Sequence, residues 1–393
     1  MGLILNDLKN ACELEHVCDY VNNRTTSSMN YISTENMLPN KGGISESTII
    51  PPGTTTEYKI GDILISNIRP YFQKIWCADR CGGCSADVLC IRAKENTDSK
   101  YLYYLLSQQA FFDYVMSGAK GCKMPRGDKK QIMQWPVNIP AIDVQKKGVA
   151  ILSSLDNKIR LNRRINDNLE EQAKALFKSW FVDFEPFKGG KFVDSELGLI
   201  PKGWSTGTIY SYIDVIYGAP YKSALFNDKK QGLPLIRIRD LKTYTPQYYT
   251  KEVLPNTEYV ECGDIIAGMD AEFIPHIWRG EKGVLNQRLC KFVPKYDYVS
   301  KYYIYSLVYP KLAFVQSYKV GTTVSHLGKA DIDRFKVIVP PEDIIMQYSK
   351  IVNSYFAEIV KVSNENQILS SLRDTLLPKL MSGELSVEEV SLD

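Results

Sequence analysis

Histidine is nearly missing from this 393-residue sequence: only His16, His276 and His326 occur, too few for a histidine metal site or a histidine-based triad. An excess of charge is missing too, since 48 basic side chains face 45 acidic ones and the net charge is +3. That balance neither requires nor excludes a nucleic-acid partner, so any such argument must rest on local clusters. No apolar run approaches the roughly 18 residues that span a bilayer. The opening MGLILNDLKN lacks a charged segment followed by an apolar one, so a cytoplasmic location with no membrane partner is expected. Nine cysteines form an odd set in a chain large enough to bury more than one core, which argues for reduced thiols. Cys77, Cys81, Cys84 and Cys90 fall close together, but their spacing departs from the paired CxxC frames that hold zinc, and no metal is expected.

What is present is a long internal repeat. Shifting the sequence by 200 residues lays GCKMPRGDKKQIMQWPVNIPAID, from Gly121, onto GTTVSHLGKADIDRFKVIVPPED, from Gly321. The match continues without gaps into a long helical stretch, where Ile159, Asn166, Leu169 and Leu176 recur as Ile359, Asn366, Leu369 and Leu376. Upstream, YKIGDILIS echoes VECGDIIAG and KYLYYLL echoes KYYIYSL at nearly the same offset. Between these anchors the halves differ freely, as expected of two modules with one architecture and different surfaces.

Alternating apolar runs such as GDILIS, DVLCIRA, LPLIRIRDL and RLCKFVP predict strands, with a helix near 100–115 or 301–316. The fold class is therefore α/β (α+β): two globular modules of like architecture, each followed by a long helix. Residues 1–142 form the first module and 143–185 the first long helix. Residues 186–341 form the second module, and 342–393 the second long helix and tail. Asp143 and Asp343 are placed to cap these helices; Pro186 and Gly189-Gly190 stop the first, while Pro378 and Gly383 break and stop the second.

A 3-4 spacing of apolar positions gives each long helix a coiled-coil seam. In the first it runs through Leu152, Leu155, Ile159, Asn162, Asn166, Leu169, Ala173, Leu176 and Trp180. In the second it runs through Val352, Tyr355, Ile359, Val362, Asn366, Leu369, Arg373, Leu376 and Leu380. Antiparallel pairing about a pseudo-two-fold axis would bring Asn166 against Asn366, where a buried amide pair penalises slipped registers. The alternative is that the asparagines line a solvated flank. About 40 residues make a rod of roughly 60 Å, longer than a small domain is wide. Such a rod suits DNA readers whose half-sites lie about one helical turn, roughly 34 Å, or a multiple apart.

NKIRLNRRINDNLEEQAKALFKSWFVDFEPF, IPKGWSTGTI, LPLIRIRDL, YISTENMLPNKGGI and DTLLPKLMSGEL together resemble the specificity subunit of Type I restriction-modification enzymes, over nearly the whole chain. The resemblance implies two target-recognition domains, each reading half of a bipartite site in double-stranded DNA. It also implies an antiparallel helix pair that docks methylation subunits, taken as two. Restriction and translocase subunits would join through them. Catalysis would belong to those partners, an adenine N6-methyltransferase and a translocase-nuclease, together with S-adenosylmethionine, ATP and magnesium. The first module lacks the Pro-x-Gly-Trp opening seen at Pro201 to Trp204, which leaves its N-terminal boundary open.

The residues agree with a non-catalytic chain that holds no cofactor of its own. No Asn/Asp-Pro-Pro-Tyr motif is present, and GTTVSHLGKA has the wrong glycine spacing for a P-loop, with Ala330 where Ser or Thr would bind magnesium. For DNA contact the densest basic segment holds Lys120, Lys123, Arg126, Lys129 and Lys130; its counterpart holds Lys319, Thr322, Thr323, His326 and Lys329. Arg69, Lys74, Arg237, Arg239, Lys242 and Arg279 are further candidates beside strand ends, with a salt bridge the competing role for Arg237 and Arg239. Three rivals stand beside this reading: a coiled-coil adaptor that never touches DNA, the specificity subunit of another methyltransferase-nuclease system, and an enzyme with an unrecognised nuclease site. Most of the 25 tyrosines are expected to pack helices.

Overall fold

The computed structural model describes residues 11–26, 30–45, 53–319 and 326–385. The chain divides into two compact units, Met1–Asn157 with Ser371–Asp393, and Lys158–Ser370.

In the first unit a four-stranded antiparallel sheet runs in the order Cys18–Tyr20, Val88–Ala93, Ile63–Ser66, Ile75–Cys77. Both faces of this sheet are covered, which is why ILIS reads as continuously apolar. Ile63 and Ile65 face a core with Tyr101, Leu102, Phe111 and Phe112, whereas Leu64 faces a second core with Ile32, Met37, Tyr58 and Trp76. The expected helix near 100–115 is two helices, Ser99–Leu106 and Gln109–Ser117; Asp98 caps the first by accepting from the amides of Lys100 and Tyr101. A short ladder joins Cys12–Glu13 to Pro136–Val137.

The second unit repeats this wiring. Its sheet runs Ile213–Tyr217, Leu289–Pro294, Ile265–Gly268, Pro275–Ile277, and its short ladder joins Ser205–Thr208 to Lys336–Val339. The parallel bridge of Ile32 to Cys84 in the first unit returns as the parallel pairing of Leu235 with Val284. One helix, Lys301–Lys319, stands where the first unit has two.

The recurring Gly-Asp dipeptide has a physical cause. Asp62 accepts from the Lys59 amide at 2.7 Å, and Asp264 accepts from the Glu261 amide at 3.0 Å, each closing the same turn. The glycine before each carboxylate adopts positive φ, +89° at Gly61 and +94° at Gly263, a region open to glycine at little cost. Cations then neutralise the carboxylates: Arg92 holds Asp62 at 2.7 Å, and Lys301 holds Asp264 at 2.7 Å.

The two long helices are Ile142–Phe181 and Glu342–Ser382. Asp143 and Asp343 lie inside their first turns rather than at the cap, where a carboxylate still complements the helix dipole. Pro378 also lies inside the second helix and does not break it; Gly383, left-handed at φ +77°, follows its end.

Within Lys158–Ser370 the helices pair antiparallel, and every seam position of the expected set that falls there is buried or half-buried. The asparagine pairing differs from expectation. Asn166 donates to Ser363 Oγ at 3.1 Å, not to Asn366; it is Asn162 that donates to Asn366 Oδ1 at 3.0 Å and to Glu365 Oε2 at 2.8 Å. Aromatic packing sets this register: Phe177, Trp180 and Phe181 all converge on Tyr348, with ring centroids 6.2, 5.9 and 4.9 Å away. With exposures of 0% and 1%, Asn162 and Asn166 lie in the seam, not on a solvated flank. Within the first unit Asp156 meets Arg373 at 2.9 Å, and Ile151 and Leu152 join Leu377, Leu380 and Met381 in its core.

Candidate nucleic-acid interface

In the first unit the basic segment is a loop between two helices, Gln109–Ser117 and Lys129–Met133. Lys120 and Arg126 exchange both backbone hydrogen bonds at 2.9 Å, which closes the loop and leaves Gly121 to Met124 exposed at its tip. Asp128 anchors the far end. Its carboxylate accepts from the amides of Lys130 and Gln131, capping the short helix, and from Lys120 Nζ at 2.9 Å; the Lys120 bond, then the amides, hold it below the usual carboxylate range.

A second segment is stitched to this loop. Ile68 bridges Arg126, and the Arg69 amide donates to the Pro125 carbonyl at 2.8 Å. Arg69, Lys120, Lys123, Arg126, Lys129 and Lys130 are therefore gathered on one loop system, and all six are exposed. Arg126 reaches Asp87 at 3.1 Å, and Lys129 lies 5.9 Å from the centre of the Tyr20 ring. Lys74 is half-buried, donates to the Thr34 carbonyl at 2.7 Å, and is lowered from its ordinary value by burial.

The same segment carries a feature that sequence reasoning missed. Tyr71 and Phe72, in a 3-10 turn Pro70–Phe72, are 49% and 38% exposed, and Met124 on the loop tip is 50% exposed. Tyrosine abundance hid this pair, since most tyrosines do pack helices. A Pro-Tyr-Phe run between two charged positions at a strand end was the available signal.

In the second unit the expected residues divide differently. Lys319 is pinned to Asp331 at 2.6 Å and to the His326 carbonyl. His326 Nδ1 is 2.7 Å from Asp270, and Asp270 also holds Arg288 at 3.2 Å. Lys242 pairs with Glu272 at 2.9 Å. Lys329 is exposed, while Thr322 and Thr323 lie outside the described residues. Arg239 is exposed and contacts Gln247 at 3.3 Å; Arg237 lies over the Tyr248 ring at 5.4 Å.

Arg279 stands apart from the other candidates. Its guanidinium pairs with Glu170 of the first long helix and lies over Tyr244, with its side chain only 18% exposed. It anchors the sheet to the helix instead of facing solvent, because a charge this buried needs a fixed counter-charge. Burial raises the Glu170 carboxyl above its ordinary value while Arg279 opposes that shift.

Cys77, Cys84 and Cys90 sit on three separate strands and Cys81 is exposed. Burial pushes the Cys77 thiol up to about 11 and the Cys84 thiol up to about 12. Among the described residues no three His, Cys, Asp or Glu side chains are grouped to hold a metal ion, and no helix is long and apolar enough to cross a membrane.

A family model described as Type I restriction modification DNA specificity domain matches residues 10–171 and again 201–370. The chain is 28% identical over 325 residues to the Type I restriction enzyme MjaIX specificity subunit of Methanocaldococcus jannaschii, covering 76% of this chain and 71% of that one. It is 24% identical to the HindI specificity subunit of Haemophilus influenzae, covering 90% and 94%. A Type-I restriction-modification S subunit from M. genitalium is similar at 15% identity and a TM-score of 0.46, covering 97% of this chain and 98% of that chain.

Proposed function

Because the chain belongs to the Type I restriction-modification DNA specificity family, we propose that each of its two units reads one half of a bipartite, asymmetric DNA site while the long helices fix the gap between them. The observation that carries this reading is a recurring juxtaposition. In both units the turn between a central strand and the edge strand that follows it is bridged to the loop that precedes a short helix, through Ile68 and Arg126 in one and Asp270 and His326 in the other. A loop of that kind, rich in exposed cations in the first unit, suits phosphate contact, with strand-end side chains turned to base edges in the major groove.

In this reading the candidate contacts in the first unit are Arg69, Lys74, Lys120, Lys123, Arg126, Lys129 and Lys130. In the second they are Arg237, Arg239, Lys242, Lys319, Thr322, Thr323, His326 and Lys329, with Arg279 assigned to the frame. The recognition domains span 1–142 and 186–341. The chain is a non-catalytic subunit: two methylation subunits dock on it, supply the adenine-N6 transfer with S-adenosylmethionine, and connect it to ATP- and magnesium-dependent restriction subunits. The near-neutral net charge of +3 fits a reader whose partners complete the positive field around the duplex.

Mapping methylated adenines in DNA from cells that carry the complete system tests this directly. Two unlike half-sites separated by unread base pairs are expected; one continuous motif, or no motif, counts against it. Inserting about four residues into the helical pair, some 6 Å, should widen the gap by one or two base pairs and leave both half-sites intact. An altered half-site with an unchanged gap would contradict the spacer role.

A further inference from the structure

We propose that Tyr71 and Phe72 form a stacking wedge that enters the duplex at a base step within the half-site read by the first unit; this rests on the DNA-reading function proposed above. The two rings are presented together, 4.6 Å apart between centroids and tilted by 52°. Leaving two aromatic rings half in water forgoes burial that a neighbouring core would supply, so their position requires a reason.

The backbone is bent to hold them there. Arg69 before the turn and Gln73 after it both adopt left-handed φ of 50°, a region unfavourable to residues with a Cβ. Three long-range bonds sustain the strain: the Arg69 amide to the Pro125 carbonyl at 2.8 Å, the Asn40 amide to the Phe72 carbonyl at 2.8 Å, and the Lys41 amide to the Gln73 carbonyl at 3.0 Å. A turn tied on both sides in this way presents its side chains rigidly.

The charge around the rings selects the partner. Arg69 adjoins the turn, Lys74 Nζ lies 6.0 Å from the centre of the Phe72 ring, and the exposed lysine loop is bonded to Arg69. Apolar tips flanked by phosphate-seeking cations suit a polyanion with stacked planar groups, and inserted apolar side chains unstack a step in exchange for added contact. The corresponding turn of the second unit exposes no ring: Asp270, Ala271 and Glu272 occupy its tip, and its one aromatic residue, Phe273, is buried in the core. The wedge is thus confined to one half-site, and the other serves as its control.

The test uses duplexes carrying the mapped site with 2-aminopurine at successive positions, bound to the assembled complex of this chain with its methylation subunits. With the native chain, fluorescence rises at one step of the first half-site. With Tyr71→Ala and Phe72→Ala combined, that rise disappears and affinity falls about tenfold to a hundredfold. Phe72→Trp retains the rise. Retained footprint protection of the second half-site at saturating complex reports that each variant is folded and assembled. No rise with the native chain, or the same rise with the alanine pair, overturns the wedge. So does an alanine pair that no longer retains the methylation subunits, which would assign the rings to a protein partner. A native complex with no preference for the mapped duplex over scrambled DNA refutes the DNA-reading function itself, a result distinct from a selective complex without the wedge signal.

Discussion

Between Ser66 and Ile75 the first unit places Arg69, Tyr71, Phe72 and Lys74; between Gly268 and Pro275 the second unit places Asp270, Ala271 and Glu272. The strands on either side are equivalent and the bridge to the following loop is the same. In the first unit the turn offers cations and rings to solvent. In the second it offers carboxylates, and these engage Arg288, His326 and Lys242. One framework can thus carry opposite donor and acceptor sets, which is what two unlike half-sites demand of the readers.

The contrast can be broken most forcefully by charge. Reversing Lys120, Lys123 and Arg126 to Glu together should weaken binding to the mapped duplex by on the order of a thousandfold, about 4 kcal/mol, and lower the salt slope by roughly three. Footprinting should show the second half-site still protected at saturating protein; equal loss at both halves would erase the distinction. Next in size is the frame of the second unit alone. Arg279→Ala strands Glu170 with its side chain only 27% exposed, so the unit Lys158–Ser370 should lose about 3 kcal/mol, read as an earlier calorimetric transition. The transition of the first unit should stay in place, and Glu170→Gln with Arg279→Met should recover most of the loss.

A smaller effect sharpens the comparison through pH. Asp240 is buried, and burial, opposed by the Arg237 amide at 2.9 Å, raises its carboxyl from 3.8 to about 6. The folded unit therefore binds this proton more tightly than the unfolded chain. The resulting stability is fully present below pH 3.8 and is lost as pH rises through about 6. Asp240→Asn should flatten that dependence, on the order of 3 kcal/mol, in the second unit's transition only.

Much of the frame was legible in the sequence because frame residues answer to local rules. The Gly-Asp turns, the short closing strands and the 3-4 seam recur since each is fixed by its own backbone or by burial. Register was not legible to better than a helical turn. Asn166 faces Ser363 because Phe177, Trp180 and Phe181 converge on Tyr348, and heptad spacing says nothing about which aromatic cluster dominates. The Arg279 ion pair was not legible for a similar reason: its counter-charge lies more than a hundred residues away on a helix face that spacing cannot identify. The basic loop was found because its cations cluster in one short stretch of sequence. The Tyr71–Phe72 turn was not, because its exposure depends on bonds to Asn40, Lys41 and Pro125.

The second unit is spliced into the first, with chain crossings at Asn157 to Lys158 and at Ser370 to Ser371. Leu377, Leu380 and Met381 complete the core around Ile151 and Leu152, so a growing polypeptide reaches the ribosome's later codons before its first-made unit can close. Throughout synthesis of Lys158–Ser370, Ile151 and Leu152 lack the apolar partners that Leu377, Leu380 and Met381 supply. A premature stop ahead of Ser371 would therefore damage the beginning of the protein more than the part just translated.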